Sequence, residues 1–332
     1  MIVLKGLAGL LGLVATGLGA SALATLLITL WIEGRHPPQG PFVPVPGGRL
    51  ASITAGPDPS ARGTVVLLHG ASANASDPME GVGRRLAAEG FRVIAFDRPG
   101  SGWSDRLGGV EMASPAAQGN AIAAALAEMR VGPAIVLGHS WSGALATAIA
   151  LDHPERVAGL VLAAPVAMPY PRMGAVPWYY RLALWPPMTW LLSHTVATPV
   201  GLYYLSRAGG AVFRPQDAPA DYLARSRAAL VLRPGSIAAN LRDLAGLPAA
   251  LAAQAPRYAG LTVPTVVIAG DADAAVPAER QAVPLAAAIP NARLVLLPGI
   301  GHMLQYVAVD ALAAEVARLA DRVTAERNPV GR

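Results

Sequence analysis

The chain has 332 residues, a formal net charge of +5 and no cysteine, which excludes disulfides and thiolate metal sites. Lys5 is the only lysine, so 25 of the 26 basic residues are arginines, and they are scattered rather than clustered. This distribution argues against a nucleic acid partner. The sequence has no phosphate-binding glycine loop and no metal-ligand spacing of His and carboxylates, so we expect no cofactor.

The first predicted element is an apolar helix, because residues 6–32 contain no charged side chain. About 20 apolar residues suffice to cross a bilayer core. Residues 1–33 are therefore predicted to form a single-pass anchor, with the lipid bilayer as a partner. A cleaved signal peptide is the alternative, but the apolar run continues well past the candidate cleavage sites near Ala22. The membrane side stays open, because Lys5 before the segment is nearly balanced by Arg35 after it.

Small residues also recur along this segment at a four-residue spacing, namely Ala8, Gly12, Thr16, Ala20 and Ala24. Such a stripe lies on one helix face and permits close contact between helices in lipid. A homodimer through this face is one reading of the pattern, and chance in an Ala-rich and Gly-rich chain is the other.

Residues 34–41 form a Pro-rich linker, and residues 42–332 are predicted to form one domain. Its strand candidates alternate with helical patterns: 65–68, 92–96, 134–137, 157–162, 265–269 and 293–297. That alternation predicts an α/β fold with a mostly parallel, doubly wound sheet. Residues 42–45 and 49–54, separated by Pro46-Gly47-Gly48, predict an antiparallel hairpin at the sheet edge.

The strand at 134–137 is followed at once by Gly-His-Ser-Trp-Ser-Gly and then by a helical pattern. A sharp turn between strand and helix lifts a serine hydroxyl clear of the backbone, and the small residues Gly138 and Ser142 allow the two elements to approach. This context predicts Ser140 as a nucleophile. Ser142 is the alternative, but the turn must follow the strand directly, which favours Ser140.

A nucleophilic serine needs a base and an acid, which follow it in the order acid then His in folds with this turn. Asp271 and Asp273 come just after the strand at 265–269, and His302 comes just after the strand at 293–297. The carboxyl ends of parallel strands meet at one sheet edge, where reactive groups collect. The sequence therefore predicts His302 as the base, with two candidates for the acid.

Five motifs occur in a fixed order: Leu68-His69-Gly70, Asp97-Arg98-Pro99-Gly100-Ser101-Gly102, the Ser140 turn, Gly270-x-x-Asp273-x-x-Val276-Pro277 and Gly299-x-Gly301-His302. With them, residues 42–327 resemble the α/β-hydrolase superfamily. The resemblance implies a triad of Ser140, Asp273 and His302, and an oxyanion hole made by the backbone N–H groups of Ala71 and Trp141. The sequence departs from the family pattern at Ser142, where Gly is commoner.

His69 and His139 flank this predicted site, and we expect each to orient a loop, with contact to the substrate pocket as the alternative. The strand–helix rhythm stops at about residues 166–260, where the resemblance implies a helical cap. Trp178 and Trp185 in the cap are candidates for an apolar substrate pocket or for contact with the membrane. The cap has nine Arg, no Glu and only three Asp, which argues against recognition of a substrate amino group.

The predicted function is that of a membrane-anchored serine hydrolase that cleaves a hydrophobic carboxylic ester through an acyl-enzyme, as a carboxylesterase or lipase does. Amide hydrolysis, C–C bond hydrolysis and perhydrolysis by the same triad are alternatives. A non-catalytic, membrane-anchored binding or accessory protein is the alternative from another class. The serine at the turn argues against chemistries of the superfamily that use an Asp nucleophile.

Overall fold

The computed structural model of the protein describes residues 2–169 and 182–327. Eight strands in these residues form one sheet in the order β1-β2-β4-β3-β5-β6-β7-β8. The strands are β1 (Phe42–Val45), β2 (Gly48–Ala55), β3 (Thr64–Leu68), β4 (Arg92–Phe96), β5 (Ala134–His139), β6 (Val157–Ala163), β7 (Thr265–Gly270) and β8 (Ala292–Leu297). β2 pairs antiparallel with β1 and β4, and all other pairs are parallel. The predicted sheet and edge hairpin are confirmed.

The central strands β3 to β7 are buried on both faces. In β3, Val66 and Leu68 belong to one apolar cluster, whereas Val65 and Leu67 belong to a second cluster on the other face. Successive side chains of a strand point to opposite faces, so a strand covered on both sides reads as a continuous apolar run. This is why the core strands are visible in the sequence without any alternation of polar residues.

Helices cover the two faces and the carboxyl edge of the sheet. Those of the sheet domain are α2 (Ser76–Pro78), α3 (Arg84–Ala88), α4 (Pro115–Glu128), α5 (Ser142–Asp152), α10 (Ala282–Ala288), α11 (Leu304–Val307) and α12 (Val309–Arg327). A π-helical turn (Met79–Gly83) joins α2 to α3, and 3-10 turns lie at Val110–Ala113 and Pro154–Arg156. Residues of α4, α5 and α10 pack in the first cluster, and residues of α3 and α12 pack in the second.

The described part of the chain between β6 and β7 contains helices joined by loops and turns, and no strand. This region, the cap, contains α6 (Pro186–His194), α7 (Ala197–Ala211), α8 (Tyr222–Arg225) and α9 (Pro234–Gln254), with 3-10 turns at Ala228–Leu232 and Ala255–Gly260. Asp243 of α9 is fully buried, and its carboxylate binds Arg98 Nη1 at 2.9 Å and Arg106 Nη1 at 2.8 Å. Both arginines belong to the loop after β4, so this ion pair fixes the cap to the sheet domain.

The amino-terminal helix α1 runs from Ile2 to Arg35. Among the described residues, α1 is the one helix long and apolar enough to cross a membrane, and such a helix fits an anchor and a signal sequence alike. Its carboxyl end is held to the domain: Glu33 pairs with Arg233 at 2.8 Å, and Trp103 Nε1 donates to the carbonyl oxygen of His36 at 2.9 Å. α1 is therefore oriented by the cap and by the loop after β4.

Candidate active site

Ser140 lies at the tight turn between β5, which ends at His139, and α5, which begins at Ser142. Its φ of +52° is in the left-handed region, which costs a non-glycine residue about 1–3 kcal/mol and persists where the surroundings enforce it. A Cβ at Gly138 would overlap the carbonyl oxygen of Ser142, so the turn requires glycine there. The local sequence thus folds into the strained turn that presents a serine hydroxyl.

His302 and Asp273 form a hydrogen-bonded pair, with 2.7 Å between His302 Nδ1 and Asp273 Oδ2. They follow β8 and β7 respectively, at the carboxyl edge of the sheet. The Asp273 side chain is fully buried, and its Oδ1 accepts hydrogen bonds from the backbone N–H groups of Ala275 (2.9 Å) and Val276 (2.8 Å). These contacts fix the carboxylate, and with Nδ1 engaged, Nε2 is the ring nitrogen left to exchange a proton.

The two competing candidates have other partners. Asp271 is exposed and accepts a hydrogen bond from the backbone N–H of Gly299 at 2.6 Å, as a turn-forming carboxylate does. Ser142 is buried, and its hydroxyl donates to the carbonyl oxygen of His69 at 2.5 Å. Neither residue lines the cavity described next, whereas Ser140 and His302 both do.

A cavity of about 820 Å³ lies over Ser140 and His302. Ala71 and Trp141 line it beside the serine, in the positions predicted for the oxyanion hole. A Cβ at Gly70 would lie 3.1 Å from Ser140 Cβ, so glycine lets the loop after β3 approach this closely. The apolar lining comes mostly from the cap and includes Leu205, Val212, Leu223, Val231, Leu232, Ile237, Leu241, Leu244 and Leu247.

The loop that carries Ala71 is tied to the cap by Asn240 of α9, a contact that sequence reasoning missed. Asn240 Oδ1 accepts from the backbone N–H of Ser72 at 2.7 Å, and its Nδ2 donates to Ser72 Oγ at 2.9 Å. The available signal was one polar residue among the apolar positions Ile237, Leu241 and Leu244 on one helix face.

The two histidines that flank the site are buried and bonded on both ring nitrogens. His69 Nε2 accepts from the backbone N–H of Arg98 at 3.0 Å and its Nδ1 lies 2.8 Å from the Gly70 carbonyl oxygen, while burial lowers its pKa well below the usual value. His139 Nε2 lies 3.1 Å from the carbonyl oxygen of His302, and burial lowers the pKa of His139 to about 3. A general base works best with a pKa near the ambient pH, so both side chains suit positioning rather than proton transfer.

Two of the expected pocket residues lie elsewhere. His69 is completely buried behind the loop after β3 and, unlike His139, does not line the cavity. Trp185 immediately precedes α6; its side chain is 56% exposed, and it is absent from the described cavity lining. The expectation of a pocket role for these two residues therefore differs from the structure. Trp178 lies outside the described residues.

Asp77 is a buried acidic residue that lines the cavity, and no sequence motif marks it as part of a site. Its side chain accepts hydrogen bonds from the Tyr222 hydroxyl at 3.2 Å and Gln305 Nε2 at 3.1 Å. Burial raises the pKa of Asp77 to about 6, because the charged form is poorly solvated there.

Within residues 2–169 and 182–327, no three or more His, Asp or Glu side chains are grouped so as to hold a metal ion.

The sequence matches the family described as "alpha/beta hydrolase fold" over residues 63–309. A 2-hydroxy-6-oxononadienedioate/2-hydroxy-6-oxononatrienedioate hydrolase from Cupriavidus pinatubonensis is 28% identical over 253 residues, which cover 73% of this chain and 81% of that protein.

Solved structures share the fold over nearly their whole length. An esterase from Thermogutta terrifontis aligns with a TM-score of 0.65 and 22% identity, over 85% of this chain and 97% of its own. A meta-cleavage product hydrolase from Pseudomonas fluorescens aligns with a TM-score of 0.62 and 21% identity, over 85% of this chain and 98% of its own.

Proposed function

The chain belongs to the α/β-hydrolase family, and on that basis we propose that it is a membrane-anchored serine hydrolase that cleaves hydrophobic carboxylic esters. The observation that carries the proposal is the combination of Ser140 at a strained turn with the His302–Asp273 pair, because Ser140 and His302 both line one cavity. A binding protein would have no need for a serine held at a positive φ beside a buried, carboxylate-bonded imidazole.

In the proposed mechanism, Ser140 Oγ attacks the ester carbonyl while His302 Nε2 accepts its proton. Asp273 holds His302 in the tautomer with a proton on Nδ1 and stabilises the imidazolium. The backbone N–H groups of Ala71 and Trp141 bind the oxyanion, each such donor contributing about 2.7–4 kcal/mol of barrier reduction. The tetrahedral intermediate collapses as His302 gives the proton to the departing alkoxide. Water, deprotonated by His302, then attacks the acyl-enzyme, and the acid is released as Ser140 recovers its proton.

The charge of the cavity favours a neutral, apolar substrate. Among the described residues that line it, Arg280 is the only Lys or Arg, and Arg280 is exposed at the rim. The Cupriavidus relative is named for a dicarboxylate substrate, and two carboxylates would need more than one cation for their charge to be compensated. A hydrophobic ester needs none and matches the leucine-rich and valine-rich lining.

C–C bond hydrolysis is the second candidate, favoured by the identity to the Cupriavidus hydrolase over 73% of this chain. The same three residues would serve it, so the distinction lies in the substrate rather than in the triad.

Anchoring by α1 is supported by its length and by apolar side chains that stay exposed along it, such as Leu10, Leu13, Leu23 and Leu27.

The proposal is tested by fluorophosphonate labelling of the detergent-solubilised protein, because this probe captures only an activated serine. We expect labelling of the wild type that is lost in Ser140→Ala and His302→Ala and kept in the matched control Ser142→Ala. Absence of labelling in the folded wild type would overturn the serine-hydrolase proposal. Hydrolysis rates are then measured on esters of graded chain length and on a 2-hydroxy-6-oxo dienoic acid, the type of compound for which the Cupriavidus relative is named. The comparison separates ester hydrolysis from C–C bond hydrolysis.

A further inference from the structure

The α6–α7 pair (residues 186–211) packs directly on α1. Ser21 Oγ and Thr25 Oγ1 of α1 both donate hydrogen bonds to the carbonyl oxygen of Thr195, at 3.0 and 2.5 Å. Thr195 lies in the turn between α6 and α7. Further along, Ile28 and Ile32 of α1 share an apolar cluster with Leu202 and Leu205 of α7. The two helices therefore run side by side in the same direction, starting from the Thr195 turn.

The position of this turn along α1 gives its depth in a bilayer. The uncharged segment ends at Ile32, before Glu33 and Arg35. At a rise of about 1.5 Å per residue, Thr25 lies about 10 Å and Ser21 about 16 Å below Ile32. One leaflet contributes about 15 Å of hydrocarbon. If α1 spans the membrane, the Thr195 turn lies within the apolar layer of the leaflet next to the domain.

The composition of the pair fits that depth. Residues 182–206 contain no Asp, Glu, Lys or Arg, and the first charged residue after the turn is Arg207. Arg207 lies 12 residues beyond Thr195, about 18 Å along α7, so the charge returns at about the same level as Glu33 does on α1. The Arg207 guanidinium lies 6.0 Å from the ring of Tyr203, and tyrosine is a residue enriched at membrane interfaces.

The exposed and buried side chains of the pair are reversed relative to a helix in water. The buried residues of α6 are Thr189 and Ser193, and that of α7 is Thr198. Trp190 is 62% exposed, Val200 47% and Tyr203 69%. A patch of this kind on a protein surface marks contact with an apolar partner. Small polar residues between helices with apolar residues outside are typical of helices packed in lipid.

One face of α7 lines the catalytic cavity, and the neighbouring face is exposed. Ala197, Gly201, Leu205 and Ala208 line the cavity at helical spacing. Val196, Val200 and Tyr203 lie at helical spacing on the adjacent face and are exposed. Tyr204 belongs to both sets, since it lines the cavity and is 50% exposed. The cavity is thus separated from the exposed apolar face by the width of one helix.

We propose that the α6–α7 pair is embedded among the acyl chains of the leaflet next to the domain, so that lipophilic substrate enters the catalytic cavity from the bilayer along α7. This inference rests on the proposed anchoring by α1. The occupant of the exposed face is the hydrocarbon of lipid, because the face is continuous with the surface of α1.

The absence of cysteine in the chain permits a direct depth measurement on the full-length protein. Single variants Val200→Cys on α7, Leu26→Cys on α1 and Ala325→Cys at the exposed end of α12 are labelled with a thiol-reactive bimane. Each is reconstituted into phosphatidylcholine vesicles with or without bromine on the acyl chains. Size-exclusion elution identical to the wild type verifies the fold. We expect the Val200 and Leu26 labels to lose about half or more of their fluorescence in brominated vesicles, and the Ala325 label to lose none.

The controls separate this inference from the proposed anchor. Quenching at Leu26 without quenching at Val200 would overturn membrane insertion of the α6–α7 pair and leave the anchor standing. Absence of quenching at both positions would overturn the anchor and the inference together. Clear quenching at both Val200 and Ala325, to the same extent, would mean that the protein adsorbs non-specifically to the vesicles. That result would also overturn the insertion of the α6–α7 pair.

Discussion

The sheet domain and the α6–α7 pair sort their side chains in opposite ways. In β3 and β5, Val66, Leu68 and Val136 are completely buried. In α6 and α7, threonine and serine are buried while Trp190, Val200 and Tyr203 are exposed. One chain therefore contains a region organised against water and a region that leaves several of its large apolar side chains exposed. The hydrophobic effect explains the first arrangement, and the proposed insertion into the bilayer would account for the second.

Buried charge shows the same division. The sheet domain contains buried titratable groups with specific partners, among them Asp77, Asp97 and the Asp273–His302 pair. The α6–α7 pair has no acidic side chain at all. We therefore expect the chemistry to take place at the sheet edge, with the α6–α7 pair contributing shape and an apolar lining. Substitutions in the two regions should therefore change different properties of the protein, and by different amounts.

The largest effect is expected at the acid of the proposed triad. Asp273→Asn leaves the side-chain volume unchanged but presents an amide N–H or a neutral oxygen to His302 Nδ1, so the productive tautomer is no longer held. We expect kcat to fall by about 10⁴-fold, measured on any ester that the wild type cleaves. Asp271→Asn, two residues away on the same loop, should stay within a few-fold of the wild type. Similar losses in both variants would contradict the assignment of Asp273.

The second effect concerns the connection between the two regions. Asp243→Asn removes the buried carboxylate that compensates Arg98 and Arg106. Breaking a buried ion pair from one side costs about 3–5 kcal/mol, so we expect the free energy of unfolding to fall by that amount in denaturant titrations. The exposed Asp221→Asn, which loses only a surface pair with Arg225 at 3.6 Å, should change it by about 0–1 kcal/mol. An unchanged Asp243→Asn would mean that the cap is held by apolar packing alone.

The strands and the candidate residues Ser140 and His302 could be located in the sequence because their signals are local. Each core strand is a short apolar run that ends at a turn, and its bounds are within two residues of the predicted ones. Ser140 and His302 are each surrounded by glycines that a turn needs. These features depend on residues within a few positions of each other, so one sequence contains enough information to locate them.

The remaining contacts join single residues that are distant in the chain. Arg98 and Asp243 are 145 residues apart, Ser72 and Asn240 are 168 apart, and Asp77 and Gln305 are 228 apart. No periodicity or spacing connects such pairs, because only the tertiary fold of the sheet domain and the cap brings them together. Trp185 illustrates the same limit: an aromatic residue in the cap lines a pocket or faces outward according to the rotation of its helix, which composition does not reveal.

A third effect is a difference in pH dependence that belongs to the sheet domain. Burial raises the pKa of Asp77 to about 6, so between about pH 4 and 6 the folded protein holds a proton that the unfolded chain has lost. The stability from this group is present at the low end of that window and lost as the pH rises through 6. Asp77→Asn removes this contribution. Between pH 4 and 6, the slope of the free energy of unfolding against pH should therefore be more positive in the variant than in the wild type, by about 1.4 kcal/mol per pH unit at most.

The control for that measurement is Asp217→Asn, an exposed acidic residue of the cap, whose curve should run parallel to the wild type. Denaturant titrations in one detergent at pH 4, 5, 6 and 7 suffice. His139 acts in the opposite sense: burial lowers its pKa to about 3, so its contribution is present above pH 6.5 and lost as the pH falls. Parallel curves for Asp77→Asn and the wild type would show that the Asp77 carboxyl group is not desolvated.

The smallest effect tests the reversed arrangement itself. Thr198 is completely buried, and its hydroxyl donates to the carbonyl oxygen of Leu232 at 2.7 Å. Thr198→Val makes α7 more apolar at constant shape, yet we expect it to lower the free energy of unfolding in detergent by about 1 kcal/mol, because the Leu232 carbonyl loses its donor in a place that water does not reach. Val200→Thr, the inverse exchange on the exposed face, should change it by less than about 0.5 kcal/mol. A helix that buries apolar side chains would respond in the opposite way. A higher free energy of unfolding in Thr198→Val and a clearly lower one in Val200→Thr would therefore show that α7 packs like a helix of the sheet domain.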